Sequence, residues 1–416
     1  MTDLPGREND PNDNPFAMFG NPEQMAQAMR QFADMLSAPQ GSGPVNWDMA
    51  KNLARHAVVA EGDPSVMDAE RRQIVEALSL ADLWLNEATA LPSGVSNPQA
   101  WSRSEWIENT VPVWRKLTEP IAERMVETMS GALGGSGLPP EAAQMAGPLM
   151  GMLKQMGGMM VGQQIGQALG SLAREVVGTT DIGLPLSDTA ALLPGGITSF
   201  SDGLELPDDE IRLYLALREA AHHRLFQHVP WLRSALLGAV EEYAKGITVD
   251  TSALEEQIRG LDISNPEALQ EALSGGALLK PEETERQKAA LARLETMLAL
   301  VEGWVAVVVD AAADGKLPSA SALAETVRRR RATGGPAELT FGTLVGLELR
   351  PRRLREAAAL WKALEEDRGL DGRDSVWGHP DLMPTAEDLD DPVAFVKGDS
   401  TWDISKLDEP PAEGTE

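Results

Sequence analysis

The residues best suited to chemistry are three histidines within one stretch of seven residues, His222, His223 and His228. The chain contains no cysteine, so disulfides, thiolate metal sites and cysteine nucleophiles are all excluded. In many zinc hydrolases the pattern H-E-x-x-H places two histidine ligands on one helix face, and its glutamate activates a water. Here Glu219 and His222 occupy the second and fifth positions, but Arg218 occupies the first. A guanidinium stays protonated and offers no lone pair to a metal, so the pattern lacks one ligand.

Helices must position these side chains, because apolar residues recur at spacings of three and four through most of the chain. We therefore predict a mainly helical fold with little β-structure, and Pro112, Pro120 and Pro148 are expected to kink or split the longer helices. The predicted helices are Pro22–Leu36, Trp47–Ala60, Pro64–Ala90, Ser102–Leu133, Pro140–Val177, Asp208–Phe226, Trp231–Ala244, Pro266–Ser274, Pro281–Ala312, Ser319–Ala332 and Pro351–Arg368. The strand-like runs are Gly195–Phe200 and Glu338–Glu348.

Glycine recurs at four-residue spacing in one predicted helix, at Gly158, Gly162, Gly166 and Gly170. These positions lie along one helix face, and each glycine costs about 1 kcal/mol relative to alanine in a helix interior. Close packing against that face must offset the cost, so the spacing predicts a tight helix–helix contact. Lys154 and the glutamines at 155, 163, 164 and 167 make this stretch a poor hydrocarbon segment. We therefore predict no stable membrane span there.

The chain is strongly acidic, with 36 basic and 64 acidic residues and a formal net charge of −28. This charge argues against a nucleic-acid partner, because phosphate contacts need clusters of Lys and Arg. The arginines of Arg328–Arg331 and of 350–355 are expected to pair with the chain's own acidic tail or with a neighbouring glutamate. Acidic composition predicts solvated tails at 1–20 and 381–416 around a helical body at 21–380, whose two lobes would meet near 205–230. The lack of cysteine and of a secretory signal predicts a cytoplasmic protein.

Three segments of the chain resemble a known family. They are Arg-Glu-Ala-Ala-His at 218–222 with the following Arg-Leu-Phe and His-Val-Pro-Trp-Leu, Leu-Val-Glu-Gly-Trp at 300–304, and Asp-Ser-Val-Trp-Gly-His-Pro-Asp-Leu-Met-Pro at 374–384. Together they are similar to the zincin-like metallopeptidase type 2 family, over roughly residues 45–395. Its members carry names such as hydrolase or zinc-dependent metalloprotease, and a sister branch is associated with deazaflavin-cofactor biosynthesis. The resemblance implies a zincin-like helical metallopeptidase fold.

The resemblance also implies roles for individual residues. Glu219 would be the general base, and His222 would be a zinc ligand. Glu302 resembles the glutamate of an E-G-H-like segment and would be a later ligand, although the segment here reads Glu-Gly-Trp. His228 competes with it, because its offset from His222 matches the third ligand of H-E-x-x-H-x-x-G-x-x-H enzymes. In an unbroken helix those two histidines point about 120° apart, so a shared metal requires a helix break, which the nearby Pro230 favours.

Two functions follow from these residues. The first is a zinc-dependent, metallopeptidase-like hydrolase with a degenerate metal motif, in which zinc and Glu219 would activate water against a peptide or protein substrate. The alternative is a non-catalytic zincin-fold binding or regulatory protein, in which Arg218 fills the empty ligand position and grips a carboxylate. A zinc measurement on purified protein distinguishes the two.

Overall fold

Helices dominate the computed structural model, which describes residues 43–134, 140–245, 284–332 and 353–398. The helices are α1 (Trp47–Ala60), α2 (Asp68–Leu85), α3 (Arg103–Gly134), α4 (Pro140–Glu175), α5 (Pro194–Ser201), α6 (Asp208–His228), α7 (Pro230–Lys245), α8 (Glu285–Ala313), α9 (Ala320–Ala332), α10 (Leu354–Ser375), α11 (Ala386–Asp390) and α12 (Pro392–Lys397). The two-residue strands β1 (Gln99–Ala100) and β2 (Ala191–Leu192) pair in parallel. The prediction of a mainly helical fold with little β-structure is confirmed. The predicted elements Pro22–Leu36, Pro266–Ser274 and Glu338–Glu348 lie outside the described residues.

One predicted strand was wrong. The run Gly195–Phe200 lies in helix α5, whose first residue is Pro194. The fixed φ of a proline suits the first turn of a helix, where its missing N–H has no partner to lose. Phe200 is buried at the end of this helix, so packing favours the helical form over a strand.

The prolines inside the long helices do not split them. Helix α3 continues through Pro112 and Pro120, and α4 continues through Pro148. A proline in a helix interior costs about 3 kcal/mol, because it removes a backbone hydrogen bond and crowds the preceding turn. Trp106 and Trp114 are fully buried on either side of the first proline, and their burial offsets part of that cost.

The folded part of the chain extends further towards the C-terminus than the acidic composition suggests. The acidic composition predicts a solvated tail from residue 381, whereas α11 and α12 pack against α10. Leu389 and Val396 are buried there. Two acidic residues of this stretch stabilise helix N-termini. Asp391 accepts a hydrogen bond from the N–H of Ala394 at the start of α12, and Asp388 completes the capping box of α11.

The predicted glycine contact of α4 is confirmed. Helix α4 packs along α1, and the two backbones approach closely at the glycine positions. A β-carbon added to Gly162 would lie 2.8 Å from the carbonyl oxygen of Asn46, and one added to Gly166 would lie 2.7 Å from that of Ala50. Both distances are shorter than van der Waals contact, so no larger residue fits without a backbone shift.

Two buried helices carry the candidate chemistry. Helix α6 ends beside Val229, because a residue that precedes a proline disfavours helical geometry. Helix α8 begins after Thr284, which forms a reciprocal capping box with Gln287. From Pro44 onward the described residues group as one compact unit, in which α6 contacts α2, α8 and α9.

Helix α8, rather than the glycine-rich α4, is the described helix that is long and apolar enough to cross a membrane. Its best 18-residue window has a mean hydropathy of 1.7, but 72% of that window is buried inside the protein. Such burial is typical of the core helix of a globular protein, which passes the same test of length and composition.

The α1–α4 contact gives a stability prediction. Gly166→Ala is expected to lower the free energy of unfolding by about 1–3 kcal/mol, because the methyl group overpacks the interface. Helix propensity alone predicts the opposite sign, a gain of about 1 kcal/mol. The matched control is Gly157→Ala on the same helix, where an added β-carbon meets no atom within 4 Å. Urea denaturation of both variants measures the difference, and equal midpoints would contradict the contact.

Candidate functional site

The first and fifth residues of the degenerate pattern meet Glu302 of α8. Arg218 donates a hydrogen bond from Nη2 to Oε2 of Glu302 at 2.7 Å. His222 Nε2 lies 3.0 Å from Oε1 of the same carboxylate. Residues 218 and 222 are one helical turn apart, so both side chains leave the same face of α6. The structure thus brings together two of the implied ligands, with a buried guanidinium beside them.

A second arginine, Arg331 near the end of α9, also contacts Glu302. Its Nη2 lies 2.9 Å from Oε1 of Glu302 and donates to the carbonyl oxygen of Asp181 at 2.7 Å. Burial alone raises the pKa of Glu302, but Arg331, His222 and Arg218 outweigh burial and hold the pKa far below its ordinary value. Burial likewise lowers the pKa of Arg218, but Glu302 outweighs it and leaves that pKa raised. The carboxylate is therefore ionised and paired with two guanidiniums.

The ring of His222 is fixed at both nitrogens. Its Nδ1 lies 2.8 Å from the carbonyl oxygen of Arg218, and its Nε2 faces Glu302. A bond from Nδ1–H to a backbone carbonyl is typical of metal-ligating histidines, because it leaves Nε2 free for the metal. Here Nε2 faces the carboxylate of Glu302, so it does not point to an open ligand position.

The side chains around Glu302 do not fit a zinc ion. Zinc sites in proteins use three or four protein ligands in tetrahedral geometry. His222 and Glu302 are the two that meet here, and two guanidiniums already contact the carboxylate. In the part of the chain that the structure describes, no three His, Asp or Glu side chains form a group that could hold a metal. Fixed positive charges at this distance also repel a divalent cation.

Glu219, the implied general base, is held by a different part of the protein. The backbone N–H groups of Thr179 and Thr180 donate to its two carboxylate oxygens at 3.0 and 3.2 Å, and both threonine hydroxyls donate as well. The N–H of Ala191 donates at 3.4 Å, and His223 Nε2 lies 3.3 Å from Oε1. These contacts tie α6 to the turn after α4 and to β2.

The surroundings of Glu219 make it a weak base. Burial alone would raise its pKa, but the hydrogen bond and charge of His223 and the bonds from Thr179 and Thr180 lower the pKa to about 2. The fit is close, because a β-carbon on Gly178 would lie 2.5 Å from Oε2 of Glu219. A general base works best with a pKa near the working pH. In this arrangement the side chain is suited to anchor a turn.

His228 does not join the cluster around Glu302. Helix α6 runs unbroken to His228, so the helix break required for a shared metal does not occur. Its side chain is exposed, and Nε2 lies 3.0 Å from the carbonyl oxygen of Ser93.

The two later segments that carry the family resemblance meet in the core. Gly303 allows α10 to approach α8, because a β-carbon there would lie 2.8 Å from that of Ala357. Trp304 Nε1 donates to Asp374 Oδ1 at 2.8 Å, and the other oxygen of this carboxylate accepts from the Thr89 hydroxyl. The residues after Glu302 in the Glu-Gly-Trp segment therefore have packing roles.

Sequence reasoning missed Arg331 as a site residue. In the sequence, Arg331 is one of four consecutive arginines, for which a neighbouring glutamate is an expected partner. Arg328 and Arg329 do pair with Glu325, three and four residues away, whereas Arg331 reaches Glu302 on another helix. No local signal separates the fourth arginine from the others, because its partner is set by the packing of α9 on α8.

The helical architecture and the pattern on α6 define a zincin-like protein. Residues 45–396 match the zincin-like metallopeptidase family, and the chain belongs to that family. The structure is also similar to the crystal structure of a candidate hydrolase with a novel fold from Chloroflexus aurantiacus. That match has a TM-score of 0.60 and 22% identity, and it covers 86% of this chain and 99% of the other. At this identity the likeness concerns the fold. The comparison with curated proteins finds no match.

The pKa of Glu219 gives a prediction about stability and pH. Its pKa of about 2, against 4.5 for an ordinary glutamate, means that the ionised form stabilises the fold above pH 4.5. This contribution is lost as the pH falls from about 4.5 towards 2. Glu219→Gln is therefore expected to lower the free energy of unfolding at pH 7, on the order of 3 kcal/mol.

The difference between the variant and the unmodified protein should shrink as the pH falls below about 4.5. Denaturant titrations between pH 7 and 3.5 measure it, with Glu76→Gln on the exposed face of α2 as the matched control. A variant as stable as the unmodified protein at pH 7 would contradict an anchoring role for Glu219.

Proposed function

We propose that this chain is a zincin-fold binding or regulatory protein that works without a bound zinc ion. The observation that carries the proposal is the position of Arg218. Its guanidinium stands in the first ligand position of the pattern and donates to Glu302 at 2.7 Å. A side chain that cannot lose its proton thus takes the place of a metal-binding imidazole.

The two arginines supply the charge of a divalent ion but not its chemistry. Arg218 and Arg331 together carry two positive charges next to Glu302, as a zinc ion would. A guanidinium accepts no electron pair from water and does not lower the pKa of a bound water as zinc does. This arrangement therefore supports binding of an anionic group better than hydrolysis.

A hydrolase is the second candidate, because the chain belongs to the zincin-like metallopeptidase family and keeps Glu219 and His222. It would act on a peptide or protein substrate. Zinc-dependent hydrolysis would require both arginines to break their ion pairs with Glu302. It would also require Glu219 to break its hydrogen bonds with Thr179 and Thr180. For either function, the lack of cysteine supports a reducing cytoplasm, and the charge of −28 disfavours nucleic acid.

Zinc content tests the proposal. The full chain, loaded with excess zinc and then gel-filtered without chelator, is expected to retain well under one zinc per chain. It is also expected to show no chelator-sensitive peptidase activity, because two donors make a weak site. Stoichiometric zinc in the unmodified protein, lost in His222→Ala, would overturn the proposal in favour of the hydrolase.

Substitutions at position 218 test the reason for the missing metal. Arg218→His is expected to raise zinc retention, because it places an imidazole one turn before His222 and removes one positive charge. The double variant Arg218→His with Arg331→Met is expected to retain more zinc, because the second charge on Glu302 is also removed. Arg218→Met is the control, since it removes charge without adding a ligand. Equal zinc retention in the Met and His variants would contradict the argument from ligand number.

A further inference from the structure

A surface cleft adjoins the cluster around Glu302. The cleft has a volume of about 500 Å³ and lies between the end of α8, the turn at 314–318 and α9. Behind it lies a cavity of about 20 Å³, lined by Tyr214, Arg218, Glu302 and Arg331. The outer volume falls in the range of small-molecule sites, whereas the inner cavity has room for about one water molecule.

Asp310 and Arg328 line both spaces and therefore mark the junction between them. Burial raises the pKa of Asp310 above its ordinary value, and the charge of Arg328 opposes this shift in part. Arg328 forms its ion pair with Glu325, and no ion pair to Asp310 is present among the described side chains. The junction is thus lined by one basic and one acidic side chain.

The inner cavity favours the negative end of a ligand. Arg218 and Arg331 supply two positive charges there, and Glu302 supplies one negative charge. The oxygens of Glu302 are already in contact with both arginines and with His222. A carboxylate at the mouth of this cavity meets Arg328 directly, and a water in the cavity can carry the contact inward to Arg218.

The outer cleft favours a positive group beside Asp310. Lys316 lines this cleft, but its ammonium is paired with Glu87 at 2.6 Å and lies over the ring of Trp84. Its charge is therefore largely balanced. Asp314 adds a second carboxylate to the cleft wall, for which the described residues provide no ion pair.

We propose that the cleft binds a small zwitterion, in which a carboxylate and an ammonium group lie next to each other, as in a free amino acid. The carboxylate faces Arg328 at the mouth of the inner cavity, and the ammonium group faces Asp310. The rest of the ligand occupies the outer cleft. This inference rests on the proposed function, because it requires Arg218 and Arg331 to remain on Glu302.

Isothermal titration of the full chain with L-leucine, L-glutamate and L-lysine tests the proposal across three classes of side chain. At least one is expected to bind. Its N-acetyl form, which lacks the ammonium group, and its amide form, which lacks the carboxylate, are each expected to bind at least tenfold more weakly. Equal binding of either blocked form, or no binding by any of the three amino acids, would overturn the zwitterion site.

Matched variants on α9 locate the binding. Arg328→Met is expected to weaken binding at least tenfold. Arg329→Met removes the same charge from the next residue, whose side chain is 78% exposed and pairs with the same Glu325, and it is expected to leave binding unchanged. Asp310→Asn is expected to weaken binding of the amino acid but not of its N-acetyl form, because the N-acetyl form lacks the ammonium group that faces Asp310. Thermal unfolding verifies that each variant is folded.

Equal effects of the Arg328 and Arg329 variants would overturn the placement in the cleft. The zinc measurement is independent of this experiment. A zinc-free chain that binds no amino acid refutes the ligand alone, whereas stoichiometric zinc refutes the proposed function itself.

Discussion

The buried carboxylate of Glu302 is the constraint on which the centre of this protein depends. An ionised carboxylate away from water must be paired, and here its partners come from two other helices. Arg218 and His222 reach it from α6, and Arg331 reaches it from α9 while also contacting the carbonyl oxygen of Asp181. One charge therefore fixes three helices and the turn after α4 relative to one another.

Glu219 performs a similar task one residue further along α6. Successive helical residues point about 100° apart, so Arg218 and Glu219 face different neighbours. The carboxylate of Glu219 forms hydrogen bonds with Thr179, Thr180 and His223. These bonds join α6 to the turn that precedes β2. In an H-E-x-x-H enzyme the corresponding residues serve a metal. Here they hold the surrounding chain, and their polar bonds are satisfied within the protein.

Arginine and histidine differ in what they can do at the first position of such a pattern. The charge of Arg218 is permanent and belongs to the chain. A guanidinium accepts no lone pair, so it does not supply the Lewis acidity with which a metal activates water. Beside Glu302 lies a small cavity next to an open cleft, where we propose that a charged small molecule binds.

The sequence by itself determined the helical class, the glycine contact of α4 and the presence of arginine at the first position of the pattern. Each of these follows from residue type and short spacing, through helical periodicity, the missing β-carbon of glycine and the fixed proton of a guanidinium. The tertiary structure alone decided that Glu219 is saturated, that Arg331 joins Glu302 and that Gly195–Phe200 is helical. Those outcomes depend on partners far away in the sequence, as with Arg218 and Glu302, which are 84 positions apart. Local spacing does not indicate which distant groups meet when helices pack.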